Sequence, residues 1–108
     1  MDKSKISILG TDYEYRVGTV NEDPELEGIG GYCEPYKKII SVNFAEYIND
    51  KYDDSRIPRI KEVKRHEIIH AFVRESGVYD KFDEELIAAW LSTQFTKMLE
   101  VFQQIDAI

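Results

Sequence analysis

Cysteine, proline and histidine are all scarce here: one, three and two residues respectively in a chain of 108. A single cysteine, Cys33, leaves no intramolecular disulfide, so the fold must rest on a packed core. No apolar run approaches the length of a membrane span, so no membrane association is expected. Basic residues are outnumbered, 14 Lys and Arg against 21 Asp and Glu, for a formal net charge of −7. Such a surface repels the phosphate backbone that supplies most nucleic-acid affinity, and no nucleic-acid partner is expected. The cations Lys61, Lys64 and Arg65 are interrupted by Glu62 and read as a solvated helical face. Met1-Asp2-Lys3-Ser4-Lys5 leads into only four apolar-rich residues, not a signal peptide's long apolar region, so a cytoplasmic protein is expected. No repeat, low-complexity tract or linker marks a boundary, and residues 1–108 read as one domain.

What is present begins with strand patterns. Ile6-Ser7-Ile8-Leu9 is short and β-branched, Gly10-Thr11-Asp12 supplies turn chemistry, and Tyr13-Glu14-Tyr15-Arg16-Val17 alternates with period two. A hairpin follows from that order. Asn21 to Gly31 mixes Pro24 and glycines with acidic residues and reads as a loop. Tyr32-Cys33 and Lys38 to Val42 then make a third strand or a second hairpin around Glu34-Pro35-Tyr36. The expected product is a small, mostly antiparallel sheet of three or four strands in an α+β fold. Phe44 to Tyr52 suits a short helix, with a break signalled between Asn49 and Ser55.

Two long helices complete the pattern. The first should run from about Pro58 to Ser76 and stop at Gly77, the residue best able to adopt a left-handed cap. Asp80 or Asp83 then caps a second helix. On it, Ile87, Leu91, Phe95, Met98, Phe102 and Ile105 recur at helical spacing and read as a core stripe.

The histidines, the only two present, stand in His66-Glu67-Ile68-Ile69-His70, an H-E-x-x-H. On a helix this spacing advances about 6 Å and a little over one turn, so both imidazoles leave one face and can share a divalent metal. Zinc is the natural candidate. Glu67 sits beside the pair without being a ligand, placed to take a proton from a water that the metal activates. A solvated helix with two surface histidines is the bland alternative. The flanks speak against it: Lys61, Glu62, Lys64 and Arg65 precede the motif, whereas Ala71, Phe72 and Val73 extend an apolar run after it. The helix therefore passes from surface to core at the histidines, where a cleft metal belongs.

A catalytic zinc takes three protein ligands plus water, and with no histidine left the third must be a carboxylate or Cys33. Cys33 is far away in sequence and reads as a small core or strand residue. Glu84 and Glu85 are better placed, at the start of the second helix. Glu84 shares a stripe with Ile87, Leu91 and Phe95; Glu85 shares a side with Ala88, Ala89 and Ser92, whose small size permits close approach. Geometry leaves both open.

These residues resemble the small phage and prophage proteins of zincin-like zinc metallopeptidase type, within the gluzincin pattern of H-E-x-x-H plus a downstream glutamate. The resemblance spans nearly the whole chain. It rests on Ile8-Leu9-Gly10, Gly31-Tyr32-Cys33, Lys38-Ile39-Ile40, Arg65-His66-Glu67-Ile68-Ile69-His70-Ala71-Phe72, Glu75-Ser76-Gly77, and Glu85 with Trp90, Gln94 and Phe95. It implies a minimal zincin-like fold, a bacterial host cytoplasm, a peptide or protein substrate, Zn2+ held by His66, His70 and Glu85, and Glu67 as general base. Gluzincin-like helices often carry an aspartate four residues after the ligand glutamate, to orient a zinc histidine; here that position is Ala89. Two other readings belong to different classes: a non-catalytic, zinc-stabilised binding or regulatory module, and a metal-free accessory protein acting through its acidic surface. Tyr79 and Tyr32 are aromatics that the fold could bring to a developing oxyanion, though packing is the simpler role for each.

Overall fold

The computed structural model describes residues 1–44 and 56–108. Strands β1 (Asp2–Ile8) and β2 (Thr11–Gly18) form the first hairpin, closed by Leu9 and Gly10. Both turn residues have positive φ, 50° and 87°, the combination whose twist matches that of the flanking strands. Leu9 therefore belongs to the turn and not to the strand expected over 6–9, and its side chain is exposed. Strands β3 (Gly31–Glu34) and β4 (Ile39–Asn43) form a second hairpin, so of the two arrangements open from the sequence this one is realised.

The sheet order is β1-β2-β4-β3, with β2 and β4 parallel. This corrects the mostly antiparallel expectation: the sheet is mixed. Parallel neighbours need a crossover of about a dozen residues or more, and the loop after β2 together with β3 supplies it. The chain crosses to the far edge, lays down β3, and returns β4 into the gap beside β2.

Central β4 is consequently covered on both faces. Ile40 and Val42 are fully buried on the helix side, each worth about 1.5–3 kcal/mol of apolar burial. Ser41 and Asn43 are buried on the other side, beneath the loop that follows β2. There Ser41 Oγ donates to Asp23 Oδ2 at 2.7 Å, and Asn43 Nδ2 donates to the carbonyl of Ile29 at 3.0 Å. Buried polar groups in that strand are thus satisfied, as burial requires.

Helix α1 (Arg56–Glu75) crosses the sheet. Pro58 lies in its first turn, and Gly77 follows its end with φ of 77°. The core joins Ile8, Tyr13, Ile40 and Ala71, with Ile6, Tyr15, Cys33 and Ile68 packed against them. A short 3-10 turn (Tyr79–Lys81) leads to α2 (Glu84–Gln104), where Asp83 is the N-cap, its carboxylate accepting from the Leu86 amide at 3.1 Å. Among the described residues, no helix is long and apolar enough to cross a membrane.

Two expectations about helix surfaces are corrected. The stripe Ile87, Leu91, Phe95, Met98, Phe102 and Ile105 is not core: Phe95, Phe102 and Ile105 are exposed and the others half-buried. The buried residues of α2 are Ala88 and Ser92. The reason is position, since among the described residues α2 packs chiefly on α1 and not across the sheet. Arg65 likewise leaves the solvated face assigned to it and donates through Nε to the carbonyl of Ser92 at 2.8 Å. The short helix expected over 44–52 and the break after it lie outside the described residues, apart from Phe44.

The end of α1 is tied to the sheet by Glu75, which accepts from Tyr13 Oη at 2.6 Å and from Lys38 Nζ at 2.7 Å. Those bonds hold its carboxyl down to about 2, so it stabilises the fold above its unfolded-state range and loses that contribution as pH falls towards 2. Glu75→Gln should lower the melting temperature at pH 7. The gap between variant and parent should close between about pH 4.5 and pH 2, as followed by circular dichroism melts.

Candidate metal centre

The site is built where α1, β3 and the first turn of α2 meet. On α1, His66 and His70 project one helical turn apart, with ring centroids 5.0 Å from each other. Their Nε2 atoms converge to 3.3 Å. From α2, Glu85 closes the group: Oε1 lies 2.9 Å from His66 Nε2 and Oε2 lies 2.8 Å from His70 Nε2. One donor atom from each of the three residues falls within 4.8 Å of the others. Two imidazole nitrogens and a carboxylate oxygen, aimed at one point from two helices, form a donor set suited to zinc. The Glu85 side chain is 69% exposed, so the group opens to solvent on one side, as a site with a free coordination position must.

Glu84 takes a different place. Its Oε1 is 2.8 Å from His70 Nδ1, on the far side of the ring from Glu85, and its Oε2 accepts from Arg74 Nε at 3.0 Å. The pair of acids that sequence geometry left open is thereby separated into two positions. Burial alone would depress the His70 pKa, but the hydrogen bonds to Glu84 and Glu85 and the charge of Glu67 raise it.

Glu67 is only 6% exposed and lies beneath the histidines, facing β3. Burial pushes its carboxyl up to about 7; a positive His70 opposes the rise and the neighbouring Glu85 adds to it. What allows a glutamate this close to a strand is Gly31. A Cβ there would stand 2.8 Å from the Ser41 carbonyl oxygen, 3.1 Å from Val63 Cγ1 and 3.2 Å from Glu67 Cγ. The sequence displayed a glycine at the start of β3, yet nothing local said that a helix would press on it.

Cys33 also faces this side, two residues along β3, but packs into the core. Burial, then the charges of Glu67 and Glu84, push its thiol up to about 12, and among the described residues it does not join the group of donor atoms that converges at the histidines. Tyr32 points to the opposite face, where its hydroxyl donates to Asp23 Oδ2 at 2.7 Å. That orientation takes it away from any oxyanion near the histidines. Tyr79 lies against Arg74, with the guanidinium carbon 4.6 Å from its ring centroid. Arg74 was absent from the residues singled out in the sequence, although its position four after His70 places it on the same helical face.

Two depressions flank the convergent group. One is lined by Gly30, Gly31, Val63, His66, Glu67 and Glu85, the other by Cys33, Pro35, His70, Arg74, Glu84 and Glu85. Together they run alongside β3, the edge strand of the sheet. Comparison of the chain with family models, with curated proteins and with solved structures finds no match.

Gly31→Ala should destabilise the protein by about 1–3 kcal/mol, the usual cost of forcing a methyl into a filled contact. Urea titration is the measurement. An unchanged midpoint would mean that neither the Ser41 carbonyl of β4 nor Val63 and Glu67 of α1 presses on Gly31.

Proposed function

We propose that this protein is a zinc-dependent peptidase of the zincin-like type, working in the cytoplasm of a bacterial host and of phage or prophage origin. One observation supports this above the rest: His66, His70 and Glu85 converge within bonding distance of a common point, with the buried Glu67 next to them. Neither histidine spacing nor a surplus of acids requires that convergence.

Zinc held by these three side chains would act as a Lewis acid, lowering the pKa of a water and polarising a peptide carbonyl. The remaining work falls to the chain itself. Glu67 accepts the proton of the attacking water and returns it to the departing amine. Its burial keeps it from solvent, and Gly31 keeps the strand from displacing it.

Edge strand β3 offers a way to align an extended substrate. Asn43 N donates to the carbonyl of Gly30 at 2.7 Å, and the register continues with Tyr32 opposite Ser41. By antiparallel alternation, Gly31 and Cys33 turn their peptide groups away from β4, to an edge that no strand among the described residues occupies and where an added strand can pair with them. A domain of 108 residues has little chain with which to wall a cleft, which suits an unstructured peptide or a partner protein that completes the site. The single Cys33 accords with a reducing compartment.

Purified protein should bind one zinc per chain by elemental analysis, and His66→Ala or Glu85→Ala should abolish that binding. With zinc present, the parent should cleave members of a diverse library of unstructured peptides. Glu67→Gln should retain the metal and lose activity by a factor of about 100 to 10,000. Stoichiometric zinc with no cleavage of any peptide would replace this reading with that of a zinc-stabilised binding module. Protein that neither contains zinc nor is stabilised by adding it would replace it with the metal-free reading.

A further inference from the structure

We propose that Glu84, braced by Arg74, is the positioning residue that orients His70 towards the metal; the proposal rests on the zinc-site reading above. The chain carries Ala89 at the place where the pattern it resembles has an orienting aspartate, and that position is exposed on α2. The task falls to the residue immediately before the ligand instead.

The geometry is that of a relay anchored at both ends. Glu84 Oε1 lies 2.8 Å from His70 Nδ1, so a proton on Nδ1 is donated to it and the lone pair is left on Nε2. Nε2 is the atom that faces Glu85 and His66. The second oxygen of Glu84 accepts from Arg74 Nε at 3.0 Å, which prevents the carboxylate from turning away. Arg74 is itself held against Tyr79, and its position four residues after His70 lets one face of α1 supply both ends of the relay. The His70 and Glu84 side chains are 16% and 18% exposed, so water competes little for the hydrogen bond.

Adjacency of Glu84 and Glu85 gains a purpose from this. Successive helical residues point about 100° apart, so the first turn of α2 delivers a ligand to one edge of the imidazole and an orienting acid to the other. A carboxylate behind a metal-bound histidine fixes its tautomer and raises its basicity, effects that usually amount to about 10- to 100-fold in metal affinity.

The test is zinc affinity by chelator competition, together with the absorption spectrum of the Co(II)-substituted protein. Glu84→Ala should weaken zinc binding about 10- to 100-fold and shift the cobalt bands. Glu84→Gln keeps the shape and an acceptor for Nδ1–H but not the charge, and should fall between parent and alanine variant even if the latter folds poorly. Arg74→Ala should weaken binding less than Glu84→Ala, and the double variant should be no weaker than Glu84→Ala alone, because Arg74 acts through Glu84. Unchanged affinity and an unchanged cobalt spectrum in Glu84→Gln and Glu84→Ala would overturn the proposal. Additive losses in the double variant would overturn the part played by Arg74. Failure of the parent to bind either metal would instead remove the zinc-site reading, a result visible before any variant is made.

Discussion

Glu85 reaches two imidazoles on another helix only because α1 and α2 come close together, and that approach is set by what is missing between them. Ala88 and Ser92 are the buried residues of α2, and neither has a side chain long enough to hold the helices apart. Arg65 adds a hydrogen bond to the Ser92 carbonyl at the same contact. Larger apolar residues at 88 and 92 would add buried area while moving Glu85 out of reach. The interface therefore trades hydrophobic stabilisation for proximity.

A second close approach lies beneath the first. Gly31 admits α1 against β3 and brings Glu67 under the histidines. The strand that carries it is held from behind through Tyr32, which donates to the buried Asp23 together with Ser41 of the neighbouring β4. Burial would raise the Asp23 pKa, but these hydroxyls, the Glu25 amide and the charge of Arg16 lower it. The loop after β2 thus does more than connect strands. By covering the outer face of β4 and pairing with Tyr32, it fixes the edge strand whose inner face supports the site.

Alternation along β3 sorts its side chains between these two tasks. Gly31 and Cys33 face α1, while Tyr32 faces the Asp23 cluster. Alternation also explains why a tyrosine next to the site in sequence takes no part in it. On α1 the same sorting follows the helical period, so that His66, His70 and Arg74 share a face and Glu67 turns towards the strand.

Much of this was legible from residue order alone, for reasons that are local. The first hairpin, helix limits near Pro58 and Gly77, a cap at either Asp80 or Asp83 and the shared face of His66 and His70 all depend on backbone preferences and periods acting over a few residues. Tertiary structure decided the rest: the parallel pairing of β2 with β4, the exposure of Phe95, Phe102 and Ile105, and the separate positions of Glu84 and Glu85. A repeating apolar stripe states that a helix has a preferred side, but not whether a sheet is there to receive it. Two adjacent glutamates are chemically identical in the chain, and they became different only when a second helix supplied an imidazole with two edges for them to meet.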